Sequence, residues 1–386
     1  LAKIYIFTGK GGVGKSSVAT AHAIKSAKEG SRTILISTDM AHNLGDILEF
    51  EASKEPVKIM ENLDVYEIDP NYVMENDFAD LLKSIDKLIP QGDGHSMKDF
   101  GIIPGIEELF SLLKISQLYN EGFYERIIVD CAPTGETLSL LKMPELLSWY
   151  MEKMFPIGKV AARLLSPVSK HVFKVELPSK AGMNDIEKLY LKLNELQELL
   201  KNRDTTSIRL VTIPEKMVVE ETKRNYMYMN LYDFNVDALY INRILPKDIE
   251  NPFFTNWKKI QSKYISELKE SFVALEIYNI PWYGEELRGR EAIEKICNDS
   301  LKNKDIFDLK KGEERESFEK IGDEYRLSIK VPFKSKADID LFQSNTDIVI
   351  KIENFKRNIP LPNILRSYEV IRAKLEEHKL EVYFKK

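Results

Sequence analysis

Cysteine is nearly missing: Cys131 and Cys297 are the only two in 386 residues, far apart and without a C-x-x-C. That excludes a disulfide framework and a zinc knuckle, and it fits a reducing compartment. No block of Lys and Arg is long enough for a nucleic-acid arm or a polybasic anchor, and a formal net charge of −5 gives polyanions no general attraction. Long apolar runs are missing too. The most apolar neighbourhood, 143–173, is broken by Glu145, Glu152, Lys153, Lys159 and Arg163, whereas a membrane-spanning helix needs about 20 mainly apolar residues. Leu1 to Phe7 run straight into a glycine-rich motif, without the charged and apolar regions of a secretory signal. These absences predict a cytoplasmic protein with no nucleic-acid partner.

What is present is a regular alternation. Short runs rich in Ile, Val, Leu and Tyr, at Ile4–Thr8, Thr33–Thr38, Val65–Asp69, Arg126–Asp130, Ile208–Ile213 and Ala238–Asn242, read as strands. Helical patterns fill Lys15–Glu29, Tyr72–Leu88, Ile106–Tyr119, Asp185–Asn202, Glu215–Met229, Thr255–Glu270 and Glu286–Asn298. The order predicts a doubly wound α/β domain with a mainly parallel sheet over residues 1–301. The stretch between Asp130 and Ile208 far exceeds one crossover helix, so a helical subdomain is expected, mainly within 70–120 and 143–205. Residues 302–317 are charged and lack periodicity, which reads as a linker. From 318 to 386 alternation at period two, as in Tyr325, Leu327, Ile329 and Val331, predicts a small all-β sandwich. A unit of that size is near the lower limit for folding alone, so it should lean on the larger domain or a partner.

The sharpest motif is Gly9-Lys10-Gly11-Gly12-Val13-Gly14-Lys15-Ser16, a G-x-x-x-x-G-K-S placed between a strand and a helix. Glycines let successive backbone N–H groups turn inward around phosphate oxygens, and the helix that follows offers its positive end. Lys15 is positioned for the β- and γ-phosphates, Ser16 for Mg²⁺. Background glycine usage makes an accidental match in a chain this long an event of roughly one or two per cent. ATP and Mg²⁺ are therefore the expected ligands, and an ATPase the expected activity.

Such a loop also needs carboxylates to hold the metal and place water, and in open α/β sheets these lie beyond the carboxyl ends of strands. Asp39 follows one predicted strand and Asp130 ends another. Each has a plainer reading as well: a helix N-cap or turn former for Asp39, a strand-end turn for Asp130.

With Lys10 as an extra lysine, the loop resembles the deviant phosphate loop of the SIMIBI class of dimeric nucleotidases. Ser37-Thr38-Asp39-Met40-Ala41-His42-Asn43-Leu44-Gly45-Asp46 resembles switch I of the arsenical pump-driving (ArsA) and tail-anchored-protein targeting ATPases, with Met40 where Pro is usual. Asp130-Cys131-Ala132-Pro133-Thr134-Gly135-Glu136-Thr137 resembles their switch II, with Glu136 where His is common. The resemblance covers roughly residues 1–300. It implies a homodimer in which Lys10 reaches the opposite subunit's ATP, Asp39 orients the attacking water, and Asp130 holds Mg²⁺ through a water. It further implies that Ser17 joins the phosphate site, that Asn242 binds adenine, and that Pro281 borders the base.

Leu147, Met151 and Met154, then Leu164 and Leu165, recur at helical spacing just after switch II. An ordinary core-packing helix explains such a stripe; the resemblance implies instead a surface that binds hydrophobic protein segments, including membrane-protein precursors. Residues 325–333, 339–341 and 352–362 resemble the small-heat-shock-protein sandwich appended to some members. Two departures matter. The pump members carry paired loops and clustered thiols, and the targeting members a zinc-binding C-x-x-C; this chain has neither. Three functions follow as alternatives: a nucleotide-switched binder of apolar segments working at a membrane receptor, an arsenite- or anion-pump-driving ATPase, and an ATP-locked holdase or scaffold.

Overall fold

The computed structural model describes residues 2–39, 43–80, 106–131, 141–142, 145, 180–302, 305–310, 316–333, 338–344, 347–353 and 355–386. Within these, an eight-stranded sheet comprises β1 (Lys3–Thr8), β2 (Thr33–Ser37), β3 (Val57–Met60), β4 (Leu63–Glu67), β5 (Arg126–Asp130), β6 (Thr206–Thr212), β7 (Val236–Ile244) and β8 (Glu276–Pro281). The spatial order is β3-β4-β2-β5-β1-β6-β7-β8, and every neighbouring pair is parallel except β3 with β4. Central strands such as β6 are buried along their whole length, which is why they read as continuous apolar or small-residue runs.

Helices α1 (Lys15–Lys28), α2 (Asn43–Leu48), α3 (Pro70–Asn76), α4 (Ile106–Glu121), α5 (Lys180–Lys201), α6 (Lys216–Leu231), α7 (Pro252–Ser271) and α8 (Arg290–Ile296) cover both faces. Alternation along β1 sorts the two cores. Ile4 and Ile6 pack with residues of α4, α5 and α6, whereas Tyr5 and Phe7 pack with those of α1 and α8. Each buried aliphatic or aromatic side chain contributes about 1.5–3 kcal/mol of transfer free energy, so a core on each side fixes the sheet's register.

Several expected boundaries move for physical reasons. Asp69 is not in a strand: its carboxylate caps α3 by accepting from Asn71 N at 3.0 Å and Tyr72 N at 3.1 Å, with Pro70 opening the helix. That helix breaks at Asp77 and Phe78, helical backbone resumes at Ala79 and Asp80, and residues 81–105, with the remainder of the expected helix to Leu88, lie outside the described set. Edge strands β3 and β8 escaped the sequence reading because the exposed Lys58, Glu276 and Asn279 interrupt their apolar pattern.

Within 302–317, Ile306 and Phe307 are buried. Tyr5 donates to the Phe307 carbonyl at 2.6 Å, Arg209 donates to the Ile306 carbonyl, and the Arg126 guanidinium lies 3.8 Å from the centre of the Phe307 ring. The chain then forms β9 (Glu316–Ile321), β10 (Glu324–Lys330), β11 (Ile339–Gln343), β12 (Asp347–Ile352), β13 (Phe355–Pro360), β14 (Glu369–Glu376) and β15 (Lys379–Lys385). Antiparallel sheets β14-β15-β10-β9 and β11-β12-β13 enclose Leu327, Ile329, Ile348, Ile350, Val382 and Phe384.

This sandwich leans on α6. Tyr228 packs on Phe355 with ring centres 3.7 Å apart, Tyr232 donates to the Lys356 carbonyl, and Phe333 meets Tyr226 and Phe272. Arg357, 4% exposed, donates to the Leu231 carbonyl and pairs with Glu145 at 3.2 Å and Glu316 at 2.6 Å. Among the described residues no helix is long and apolar enough to cross a membrane.

Candidate nucleotide site

The site forms where β1 hands over to α1. Gly12 (φ 79°) and Gly14 (φ 91°) take left-handed conformations that side chains rarely adopt. Gly9 answers to a different constraint: a Cβ there would sit 2.1 Å from the carbonyl oxygen of Val211 on β6. Val13 is buried and fastens the loop's middle to the α1-side core. Lys15 Nζ lies 3.5 Å from the Lys10 carbonyl, closing the loop across its mouth. No side chain caps α1 and no acid occupies its first turn, so its leading N–H groups and positive dipole end are available to an anion.

Acids converge from the neighbouring strands. β5 lies between β1 and β2, so Asp130 is in register with both Phe7 and Ser37. Thr38 N donates to the Asp130 carbonyl at 3.0 Å, and Cys131 N to the Phe7 carbonyl at 3.1 Å. The loop strand, Asp130 and the start of switch I are thus one hydrogen-bonded block. The Asp130 carboxylate is sealed from solvent without a fully formed hydrogen bond. Burial pushes its pKa up to about 7, with Asp39 adding to the rise while the Ser16 hydroxyl and the Lys15 ammonium pull it down. A carboxylate whose burial is so incompletely offset, facing a hydroxyl, suits a hard divalent cation such as Mg²⁺. Asp39 is half-buried, with its N–H donating to Ser37 Oγ at 3.1 Å.

Other expected site residues fall as follows. Ser16 and Ser17 lie in the first turn of α1. Asn242 and Pro281 lie at the carboxyl ends of the adjacent strands β7 and β8, where Pro281 pairs in register with Ile244. The Asn242 amide is engaged by protein: Nδ2 donates to the Val13 carbonyl at 2.8 Å, and Oδ1 accepts from Arg243 N at 2.8 Å. It lies so close that a Cβ on Gly14 would stand 2.4 Å from Nδ2. Lys10 points to α6, 3.5 Å from the Glu221 carboxylate. Leu147, Met151, Met154, Leu164 and Leu165 lie outside the described residues, as do residues 132–140 of switch II.

One residue escaped the sequence reading. Glu67, 4% exposed at the end of β4, accepts from Leu44 N at 2.9 Å and Gly45 N at 3.0 Å. Nothing local marked it: the sequence reading carried that strand on to Asp69, and Asp64 puts a second acid in the same short strand.

Cys131 and Cys297 are buried in different cores on opposite faces of the sheet. Burial pushes the Cys297 thiol up to about 11, and its Sγ lies 3.1 Å from the Ala21 carbonyl. No cluster of metal-ligating side chains occurs among the described residues.

A glycine loop between β1 and α1, with acids at the carboxyl end of β5 and just beyond that of β2, defines a P-loop nucleoside triphosphatase. Residues 2–302 match the family model described as anion-transporting ATPase, and residues 322–384 match the HSP20-like domain found in ArsA. The chain therefore belongs to the ArsA ATPase family and is an ATPase. It is 33% identical to the "Putative arsenical pump-driving ATPase 1" of Aquifex aeolicus, over 99% of both chains. A protein of the same description, without the number, from Chlorobaculum tepidum is 34% identical over 99% of this chain and 96% of its own length. "ATPase GET3" of Podospora anserina is 32% identical over 76% of this chain and 88% of its own.

Proposed function

We propose that the protein is an ATP-hydrolysing homodimeric switch that binds hydrophobic protein segments in a nucleotide-dependent way. The supporting observation is the hydrogen-bonded block of Phe7, Thr38, Asp130 and Cys131, which ties both switch segments to the strand that carries the phosphate loop. In this reading Lys15 and the loop N–H groups from Gly9 to Ser16 hold the phosphates, with Ser17 beside them, and Ser16 and Asp130 hold Mg²⁺, Asp130 through a water. Mg²⁺ supplies charge neutralisation at the phosphate oxygens when bound. Asp39 orients the attacking water, and Lys10 serves the partner's nucleotide. Positioning and electrostatics carry such a reaction.

The binding segment begins near Glu145, which Lys201 holds at 2.6 Å and Arg357 at 3.2 Å. Sedimentation with a non-hydrolysable ATP analogue, together with a titration of a fluorescent apolar helical peptide, tests the reading. We expect dimers and peptide binding in the ATP state, and loss of peptide binding but retention of nucleotide when Leu147, Met151 and Leu164 are replaced by Asp. A monomer in every nucleotide state, or unchanged peptide binding in the triple variant, overturns it.

The names of the bacterial relatives offer a pump-driving role, but the separation of the two thiols on opposite faces of the sheet gives a soft metalloid no clustered site in one chain.

A further inference from the structure

We infer that Glu67 is a positioning residue for ATP hydrolysis, holding the switch I segment so that Asp39 stands over the phosphate site. The inference rests on the reading of Asp39 as the residue that orients water.

Glu67 and Ser37 are register partners in the parallel pair β4–β2. Ser37 Oγ takes the N–H of Asp39 at 3.1 Å, and Ser37 O takes the N–H of Ile68 at 3.0 Å. Glu67 Oε1 meanwhile takes the N–H groups of Leu44 and Gly45 at 2.9 and 3.0 Å. The segment bearing Asp39 is therefore tied at its start by the strand's Ser37 and at its far end by Glu67, one strand over. A Cβ on Gly45 would lie 3.2 Å from the Phe50 carbonyl, so the absence of a side chain answers to that contact, while the Glu67 oxygens would stand at ordinary contact distance, 3.9–4.0 Å.

A buried carboxylate is costly unless its hydrogen bonds are charge-assisted. A merely structural cap could be a neutral Ser or Asn of the helix itself. Here the acid comes from the sheet instead, so α2 is fixed to the same rigid frame as Asp130 and the phosphate loop. On the other side of α2, Gly289 N donates to the Ile47 carbonyl at 2.7 Å and Arg288 pairs with Glu49 at 3.1 Å. Those contacts come from the turn that opens α8, not from the sheet that carries Asp130.

The test is steady-state ATPase kinetics of the full chain, with ADP affinity by calorimetry, for Glu67→Gln, Glu67→Leu, Asp39→Asn and the Asp39→Asn/Glu67→Leu pair. A displacement of about 1 Å in a positioning element costs roughly 100-fold in rate. We expect kcat of Glu67→Leu to fall about that much, with KM for ATP and ADP affinity within threefold. Glu67→Gln, which keeps one accepting oxygen, should stay within tenfold of the parent yet measurably below it. The double variant should be no slower than Asp39→Asn alone.

A kcat of Glu67→Leu within twofold of the parent overturns the proposal, as does a loss of ADP affinity in step with kcat, which marks general unfolding. Should Glu67→Leu fail to fold, Glu67→Gln decides: lowered kcat at constant ADP affinity supports the proposal, and parental kcat and KM overturn it. Full activity of Asp39→Asn would instead remove the reading of Asp39. An inactive Asp39→Asn beside a fully active Glu67→Leu removes only the role of Glu67.

Discussion

Lys10 of the phosphate loop pairs with Glu221 of α6 in the same chain, Nζ to carboxylate 3.5 Å, with both side chains partly in solvent. A pair so exposed contributes at most about 1 kcal/mol, little enough for a second subunit's phosphates to displace it. Glu221→Gln should leave the melting temperature unchanged and strengthen ATP-dependent dimerisation several-fold in sedimentation velocity, because Lys10 no longer has a local partner. Lys10→Ala should abolish that dimer. Weaker dimerisation in Glu221→Gln would show that Glu221 supports the interface instead of competing for the lysine.

The contact between the β-sandwich and the ATPase domain should depend on acid. Burial alone would raise the Glu145 pKa, but Arg357 and Lys201 outweigh it and hold the group at about 2, against an ordinary 4.5. A carboxylate depressed in the folded state contributes stability that is complete above about pH 4.5 and is lost as pH falls towards 2, here on the order of 3 kcal/mol. Arg357→Ala should cost about 3–5 kcal/mol at pH 7, because it strands two partly buried acids. It should also flatten the acid limb of a urea-unfolding series between pH 5 and 3. An Arg357→Ala series parallel to the parent's would show that the pair is not the source of the acid limb.

His22 should set a second, milder dependence. Its ring is fully buried between the Val18 carbonyl, 2.7 Å from Nδ1, and the Tyr240 hydroxyl, 2.8 Å from Nε2. A carbonyl only accepts, so Nδ1 carries the proton and Nε2 receives the Tyr240 hydrogen. Burial, with the Arg209 charge beside it, holds the pKa well below 6.5. Unfolding then takes up a proton below pH 6.5, so stability should fall by about 1.4 kcal/mol per pH unit under that value. His22→Gln should remove this slope between pH 6.5 and 5.5, whatever its cost at pH 7.5.

How much of this was legible in the sequence depends on what each residue answers to. The phosphate loop, Asp39 and Asp130 were visible because chemistry fixes residue type and spacing within a few positions. Central strands were visible because burial on both faces makes them uniformly apolar. β14 was not: it is an edge strand whose alternation slips by one residue at the bulge between Val370 and Arg372. Ile306 and Phe307 sat unnoticed in a charged stretch because two apolar residues make no period, although Tyr5, Arg126 and Arg209 all wait for them. Glu67 and the pair of Arg357 with Glu145 are relations across sequence distance, and nothing local announces them.

Arsenite should not stimulate this ATPase through its thiols. Cys131 and Cys297 belong to cores on opposite faces of the sheet, and the thiolate form of Cys297 is disfavoured by burial, its thiol pushed up to about 11. Native protein should react with a maleimide far more slowly than protein in urea. The ATPase rate should be the same with and without arsenite, and a Cys131→Ser/Cys297→Ser variant should behave alike. Stimulation that vanishes in that variant would revive the pump-driving role and require the thiols to meet between chains.

Asn242 offers the cleanest separation of two roles for one side chain. If it reads adenine, its loss weakens ATP more than GTP; if it braces the loop, its loss weakens every nucleotide equally. Its Nδ2 donates to the Val13 carbonyl and its Oδ1 accepts from Arg243 N, and Val13 is buried in the core on the α1 side of the sheet. Asn242→Ala leaves that carbonyl without its partner, a loss of about 1–3 kcal/mol, or roughly fivefold to 150-fold in affinity. Calorimetry with ATP, ADP and GTP should show that same factor for all three. A selective loss for the adenine nucleotides would mean that the side chain reads the base, through its second N–H and lone pair or by leaving Val13. Gly14→Ala is the companion experiment. Its Cβ collides with Asn242 and its φ of 91° is strained for any side chain, so adding Asn242→Ala should relieve the collision but not the strain, and recover only part of the lost nucleotide binding.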